Sequence, residues 1–359
     1  METATARVYN QTQCKEASLT VRDAFYLVPS LLNTFSAIAS FGVCGLIYKR
    51  FGFRIYYHIN AKILIFLNML SFLTLSLATI SSYGTLFTNA LVASQDCELL
   101  FFTQNCSFLR RMFLFSIMLT TMTHASLILE RAFATYKLGA YEHMGSQLGV
   151  ILGVLSVVTS LVIVGSVTSR EDYDELLTNC FAFSSSASIG DHVYYMFRFQ
   201  LILEIGTWVV YICLLDYHKR SVRKQSEGIV GDRFQGLENM IVLQQLGPLI
   251  LTSSAIIGLY ILTSSTGRFF RSAFTLPHYK QFVSSIFIMP HNALISMILY
   301  YLLFKWGFEE KDKRMKKTLT SPLTPRKAYM EHLKDYWNEN YHKRTRDSGQ
   351  YLVARAHDI

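Results

Sequence analysis

A few ionisable side chains interrupt the long apolar stretches of this sequence, and they are the first candidates for chemistry. Glu204 and Arg198 stand in a segment that is otherwise apolar. Ionisable groups in such segments usually face the interior of a helix bundle or a polar interface, because exposing them to lipid is costly. We expect Glu204 to contact a ligand or act as a conformational latch, with His124 or His291 as its partner. Arg198 is expected to extend outward to Asp191 or to lipid headgroups.

The histidines do not follow the pattern of a metal site. His124, His192 and His291 are scattered along the chain, and no His-x-x-x-His spacing occurs in an apolar segment. A zinc hydrolase needs histidine ligands that converge on one point. No set of residues has the pattern of a nucleophilic triad either. We therefore expect no catalytic residues, no metal and no cofactor, and the chain is not expected to be an enzyme.

Long uncharged runs must supply the elements that position these residues. Six runs of at least 18 residues contain no Asp, Glu, Lys or Arg: 24–48, 63–95, 112–129, 143–169, 239–267 and 281–304. A helix of ~20 apolar residues crosses a hydrocarbon core of ~30 Å. Together with the mostly apolar segment 193–215, these runs predict an all-α bundle of seven transmembrane helices. A composition of 51% hydrophobic and 16% charged residues agrees with that class.

The positions of the basic residues predict an orientation for this bundle. Of the 34 Lys and Arg, 24 fall in segments on one side of the predicted spans, which marks the cytosolic side. We expect an extracellular tail at 1–24, a seven-helix domain at 25–304 and a cytosolic tail at 305–359. The predicted spans are 25–48, 63–93, 112–129, 147–169, 193–215, 240–266 and 281–304. The net charge of +9 is then the orientation signal of a membrane protein and marks the side expected to face a partner protein and anionic membrane lipids, rather than a nucleic-acid footprint.

Two further patterns agree with an outward N-terminus. Asn10 begins an Asn-Gln-Thr glycosylation sequon in the expected outer tail. Four of the six cysteines fall in the expected outer segments, where oxidising conditions permit disulfides, and none falls in a cytosolic segment. These four are Cys14, Cys97, Cys106 and Cys180. Whether Cys14 and Cys97 are paired is left open at this point.

The spacing between Cys106 and Arg131 resembles that of rhodopsin-like G-protein-coupled receptors. The 25 positions between them span about 37 Å of helix. In those receptors a cysteine at the outer end of the third helix is bonded to the second outer loop, and an acid–Arg pair closes the inner end. The resemblance implies a bond from Cys106 to Cys180 and a G-protein switch at Glu130 and Arg131. The residues alone also allow Arg131 to be a basic anchor at the membrane edge.

A more specific resemblance covers roughly residues 20 to 310. The chain is similar to nematode serpentine chemoreceptors of the Sra superfamily, most of all to the alpha/beta class (Srab). The residues that carry the similarity are His58–Lys62, Asp96–Cys97, Cys106, Glu130–Thr135, Tyr141–Glu142, Arg233–Asn239 and Pro290–Asn292. The resemblance implies a G-protein-coupled receptor of chemosensory neurons, located in the plasma membrane of the sensory cilium. Its implied partners are a small-molecule ligand and a heterotrimeric G protein.

The ligand-facing positions of the third helix can be counted from Cys106. One to three turns below it stand Phe113, Leu114, Ile117 and Met118, all of them apolar. Aminergic receptors carry an Asp where Phe113 stands, so a cationic amine is not expected. An apolar pocket predicts a small, apolar ligand. Packing between helices explains these residues equally well.

A channel or transporter is the alternative from another functional class. The polar pair Gln244–Gln245 in the sixth run favours it, but the sequence shows no internal repeat and no paired broken helices.

Two prolines in the last two runs, Pro248 and Pro290, are each expected to kink a helix.

Overall fold

The structure is a computed structural model that describes residues 11–52, 57–137, 141, 145–181, 188–224 and 230–320. Asn10 and the tail 321–359 lie outside this part of the chain. The packing considered below is that of the compact unit 1–305. Within the described residues, seven helical segments are long and apolar enough to cross a membrane. The prediction of an all-α seven-helix bundle is therefore confirmed.

The membrane-crossing helices follow one another along the chain. Six of them are α2 (Ala24–Phe51), α3 (Ile59–Val92), α4 (Thr103–Tyr136), α5 (Gln147–Thr168), α6 (Gly190–Lys224) and α7 (Val230–Phe269). The seventh crossing runs from the short helix α8 (Leu276–Ser285) into α9 (Met289–Thr320). The expected outer tail contains one more helix, α1 (Gln11–Val21). Asp23 caps the start of α2 by accepting a hydrogen bond from the backbone N–H of Phe25.

A single short strand ladder accompanies the helices of the described chain. Strand β1 (Phe101–Phe102) pairs antiparallel with β2 (Leu176–Leu177), and Phe101 lies opposite Leu177. The ladder lies just before α4 and joins it to the segment between α5 and α6. We call the end of the bundle that carries this ladder and Cys106 the disulfide end. The opposite end of α4 is called the Arg131 end.

Helix α4 is longer than the uncharged run that predicted it. The run starts at 112 because Arg110 and Arg111 precede it, whereas the helix starts at Thr103. Arg110 is fully buried and forms an ion pair with Glu171, so its charge lies inside the helical bundle. A charge marks the end of a span only when nothing in the protein neutralises it.

The seventh crossing is broken rather than kinked. Pro290 was expected to bend a continuous helix, but α8 ends at Ser285 and α9 begins at Met289. Proline suits the first turn of a helix because its missing N–H would have no helical partner there. Pro248, in contrast, lies inside α7.

Buried polar contacts join the central helices. The amide of Asn68 on α3 donates to Thr123 on α4 at 2.6 Å, and the Tyr300 hydroxyl on α9 donates to the Asn68 carbonyl oxygen at 2.8 Å. One turn along, the hydroxyls of Ser71 and Thr120 are 2.8 Å apart. Hydrogen bonds between helices help to hold a membrane bundle together, where apolar burial alone gives little specificity.

Candidate functional site

Two disulfides fasten the disulfide end. Cys106 in the first turn of α4 is bonded to Cys180 in the segment between α5 and α6, the pairing that the resemblance implies. Cys14 on α1 is bonded to Cys97, which lies between α3 and β1. The buried residues of α1 include Cys14, Ala17 and Val21, so this helix lies against the rest of the bundle.

A buried ion pair reinforces the segment that contains Cys180. Arg110 lies one turn after Cys106 on α4, and its guanidinium is 3.0 Å from the Glu171 carboxylate. Both side chains are fully buried, and Arg111 approaches the same carboxylate at 3.9 Å. Burial raises the pKa of the Glu171 carboxyl, and the positive charge of Arg110 opposes that rise. The sequence had given these arginines only as charges at the end of a run.

The residue after Cys180 belongs to an aromatic cluster, which we define as Phe113, Phe181 and Phe287. The Phe181 ring centroid is 4.6 Å from that of Phe113 and 5.6 Å from that of Phe287. Phe113 and Phe287 are 5.2 Å apart, and all three residues are buried. The disulfide thus holds the backbone next to Phe181 above the first predicted ligand position of α4.

The other apolar ligand candidates lie further along α4. Leu114, Ile117 and Met118 are buried with at most 2% of their surface exposed. They belong to the tightly packed interior of the bundle. Among the four predicted wall residues, Phe113 is the one that the structure joins to the segment carrying Cys180.

A small cavity of about 30 Å³ lies beside the aromatic cluster at the disulfide end. Phe181 and Phe287 form part of its wall, and the rest includes tyrosines, Ser284 and Lys280. A wider vestibule of about 660 Å³ shares two lining residues with it, Thr178 and Lys280. The volume of the cavity corresponds to roughly two water molecules, while the vestibule is large enough for a small organic molecule.

Glu204 connects three helices in the middle of the bundle. It is 3% exposed, and its carboxylate lies 3.3 Å from the Nδ1 atom of His124 on α4. Ser254 on α7 donates a hydrogen bond to its other oxygen. His124 is thus the partner of Glu204 among the two proposed. His291 is not bonded to Glu204, while the next residue, Asn292, donates to Ser253 at 3.1 Å.

Arg198 does not meet the acidic partner suggested for it. Asp191 forms its ion pair with Arg268 at the end of α7. Arg198 is exposed on the outer surface of α6, with its guanidinium 5.9 Å from the centre of the Tyr195 ring. That position faces away from the bundle interior.

Glu130 and Arg131 form a closed pair at the other end of α4. Two guanidinium nitrogens of Arg131 donate to the two oxygens of the Glu130 carboxylate. The residues are 0% and 2% exposed. A third guanidinium nitrogen donates to the side-chain oxygen of Asn239 on α7 at 3.2 Å. The pair therefore ties α4 to the sixth crossing of the bundle.

Tyr141 and Asn60 hold the acidic partner in place. The Tyr141 hydroxyl donates to Glu130, and the Asn60 amide donates to the Tyr141 oxygen at 3.3 Å. The side-chain oxygen of Asn60 accepts the backbone N–H of Gly149 at 2.9 Å. A Cβ at Gly149 would lie 2.6 Å from the Asn60 Cα, so α3 and α5 approach closely only with glycine there. Burial and the Glu130 carboxylate raise the pKa of Tyr141, which stays a neutral donor.

Comparison with known proteins decides the class. The family described as "Serpentine type 7TM GPCR receptor class ab chemoreceptor" matches residues 11–338. The chain belongs to this family.

Relatives of this class ab chemoreceptor come from two neighbouring receptor classes. It is 32% identical over 319 residues to the serpentine receptor class alpha-39 of Caenorhabditis elegans, covering 89% of this chain and 85% of that protein. It is 24% identical over 217 residues to the serpentine receptor class beta-13 of the same organism, covering 60% and 62% of the two chains. The predicted family is thus confirmed. Its members are receptors rather than enzymes, and the protein is a multi-pass membrane protein.

Several receptor residues now have partners that the sequence did not reveal. Asn60, Tyr141 and Asn239 stood among the residues that carried the family resemblance, but without a role. Thr135 and His218 form another contact at the Arg131 end, with their side chains 2.8 Å apart. The sequence could have pointed to these residues only as polar positions of a family motif near the ends of helices. The fold is needed to show which of them form hydrogen bonds with one another.

Proposed function

We propose that this receptor binds a small, mainly apolar molecule at the disulfide end and signals to a heterotrimeric G protein at the Arg131 end. The proposal is supported above all by the buried Glu130–Arg131 pair, held by Tyr141 and Asn239. A guanidinium closed off by a neighbouring carboxylate can be released by a change in helix positions. Once free, its planar fork of donors suits the backbone carbonyls of a partner protein.

Helix α4 is the proposed connection between the two ends. Near one end Phe113 contacts Phe181, at mid-length His124 faces Glu204, and near the other end Arg131 contacts Asn239. A ligand that moves the aromatic cluster displaces α4 relative to α6 and α7. It activates the receptor to the extent that it binds the open arrangement more tightly than the closed one.

The disulfide end is proposed to face the outside of the cell. Disulfides persist in oxidising surroundings, and both disulfides of the described chain lie at this end. The excess of Lys and Arg on the opposite side favours the same orientation. The sensory cilium of chemosensory neurons is the proposed location, in keeping with the chemoreceptor family.

The channel or transporter alternative loses its supporting observation. Gln245 accepts a hydrogen bond from the Tyr57 hydroxyl at 3.0 Å inside the bundle, while Gln244 is exposed. Gln245 thus has a structural partner, and the pair does not form a polar stripe along a pathway.

Expression in a heterologous cell line tests the proposed function. Cells would be exposed to a panel of volatile and lipophilic molecules, with G-protein activation measured by energy transfer between labelled G-protein subunits. We expect a ligand response that Arg131→Ala abolishes and that Arg220→Ala, at an exposed arginine of α6, retains. Retained signalling in Arg131→Ala would remove the switch role. Ligand-evoked current or uptake without a G protein would establish the alternative class.

A further inference from the structure

Among the described residues that line the small cavity at the disulfide end, one is charged and the others are neutral. Among its lining residues, Lys280 on α8 is the one with a formal charge. The same wall contains the hydroxyl-bearing residues Tyr26, Tyr83 and Ser284. Among the described residues that line it, none is a carboxylate. The cavity therefore presents one cation and several hydroxyl donors to whatever enters it.

Lys280 lacks a close counter-ion within the described residues. No carboxylate there lies within 4.0 Å of its ammonium group, the distance that defines an ion pair. Its electrostatic partner at longer range is Glu16 on α1. Glu16 and Lys280 both line the vestibule, with Glu16 on the helix that the Cys14–Cys97 bond anchors. Lys280 thus has no close counter-ion in the described chain, while its side chain lines both the cavity and the vestibule.

Ser284 supplies a second observation at the same cavity, a buried hydroxyl whose nearest polar neighbour is the Tyr83 phenol. Its residue is 6% exposed and lines the cavity one turn from Lys280. The hydroxyl lies near the Tyr83 phenol, yet it makes no hydrogen bond of normal geometry. A buried hydroxyl without a hydrogen bond is costly unless a bound group satisfies it.

We propose that this cavity binds the carboxylate of an amphipathic ligand, with Lys280 as its counter-ion and Ser284 and the tyrosines as hydrogen-bond donors. The inference rests on the proposed function and names the chemical class of its ligand: a small organic acid with an apolar body. The two oxygens of a carboxylate fill the space of about two water molecules. Phe181 and Phe287, on the same wall, supply apolar contact to the carbons next to the carboxylate, and the vestibule supplies the room for the rest of the body.

Glu16 acts as an internal competitor in this arrangement. Without ligand, it is the carboxylate that balances Lys280 across the vestibule. The rim also contains Asp172, Asp174 and Glu175, so the surroundings of Lys280 outside the cavity are acidic. A cationic ligand attracted by this rim meets Lys280 at the cavity, whereas a carboxylate gains its partner only there. Selectivity for acids therefore resides in Lys280 rather than in long-range attraction.

The test measures binding separately from signalling. Purified receptor in lipid nanodiscs would be titrated with the straight-chain acids from butanoate to decanoate, phenylacetate, and the neutral primary amide of each acid. Ligand binding is read as an upward shift of the thermal unfolding midpoint. The variants are Lys280→Met and Glu16→Gln, with Arg271→Gln as the matched control. The Arg271→Gln substitution also removes one positive charge from the vestibule, but Arg271 does not line the cavity.

We expect acids to bind the unmodified receptor more tightly than their amides. Lys280→Met should lower the affinity for the acids by about tenfold or more and leave amide binding unchanged. Glu16→Gln should raise the affinity for the acids, and Arg271→Gln should change it by less than about twofold. The inference is overturned if no acid stabilises the receptor, if amides bind equally well, or if Lys280→Met binds acids normally.

Acid binding that depends on Lys280 but evokes no G-protein response would contradict the proposed function and leave the ligand class standing. A G-protein response to neutral molecules alone would contradict the carboxylate ligand and leave the proposed function standing.

Discussion

The two ends of this receptor are fastened by different chemistry. At the disulfide end, covalent bonds join α4 and α1 to neighbouring segments. At the Arg131 end, an ion pair and hydrogen bonds join the segments instead. Arg131 donates to Glu130 and Asn239, and Tyr141 donates to Glu130. Covalent bonds persist through any conformational change, while ion pairs exchange partners. One end is thus fastened so that it keeps its shape, and the other so that it can change its contacts, as the proposed function requires.

Both ends also contain a buried arginine beside a glutamate, and the difference between them is instructive. Arg110 pairs with Glu171 from a separate segment, so that pair joins two parts of the chain. Arg131 pairs with its own neighbour Glu130, so this pair can open without separating two distant parts of the chain. Asn239 then adds a contact from Arg131 to α7, and this contact is a hydrogen bond rather than a second ion pair.

Loss of a disulfide should be the largest effect on stability. Cys106→Ser frees the segment before Phe181 and should lower the free energy of unfolding by about 2–5 kcal/mol. Thermal inactivation of purified receptor measures the change. Cys213→Ser, at an exposed free cysteine of α6, is the matched control. Equal midpoints for the two variants would mean that the disulfide end does not depend on its covalent fastening.

Removing the charge of Glu130 should loosen the opposite end. Glu130→Gln weakens a charge-assisted hydrogen-bonded pair worth roughly 1.5–3 kcal/mol. Because Arg131 is then held less firmly, G-protein activation without ligand should increase, as measured in the subunit energy-transfer assay. Asp216→Asn, which breaks the exposed pair with Arg220, is expected to leave basal activity unchanged. A basal activity no higher than that of Asp216→Asn would show that Glu130 does not restrain the switch.

The close approach of α3 and α5 provides a test of packing at the Arg131 end. Gly149→Ala places a methyl group against the Asn60 backbone and should destabilise the receptor by roughly 1–3 kcal/mol. Gly165→Ala lies on the same helix with no atom within 4 Å of the new Cβ. Thermal unfolding of both variants compares them. If Gly149→Ala is as stable as Gly165→Ala, the two helices do not require this contact.

The smallest effect should come from one hydroxyl. Tyr141→Phe removes the donor to Glu130 and should cost about 0.5–1.5 kcal/mol, with a small rise in basal G-protein activation. Tyr217→Phe removes an exposed phenol from α6 and serves as the control. The unfolding midpoint and basal signal are measured together. A variant that is destabilised but silent would make Tyr141 a structural residue only.

Much of the fold was predictable because lipid allows few solutions. Uncharged runs of sufficient length must be helices, and this held even for the segment around Glu204. The Cys106–Cys180 bond came from a family resemblance rather than from composition. The limits of α4 were missed because Arg110 read as a boundary, although Glu171 neutralises it inside the protein. Periodicity gives no information about a partner sixty residues away.

The details of the site depended on contacts between distant parts of the chain. Nothing in the sequence pattern distinguished Lys280 from other basic residues before α8 placed it in a cavity wall. Tyr141 and Asn60 stood in motifs, but a motif does not state that one donates to the other. Helix α1 was part of an expected tail, since eleven mostly polar residues give a weak pattern until Cys14 is bonded.

The position of Phe181 directly after Cys180 bears on how quickly the receptor can respond. Its backbone is tied to α4, so a molecule that reaches the aromatic cluster displaces a ring rather than a whole loop. Side-chain rotations take far less time than loop rearrangements. In the proposed function, entry and exit of the ligand are then paced by one rotating side chain, which favours brief occupancy and rapid resetting of the receptor.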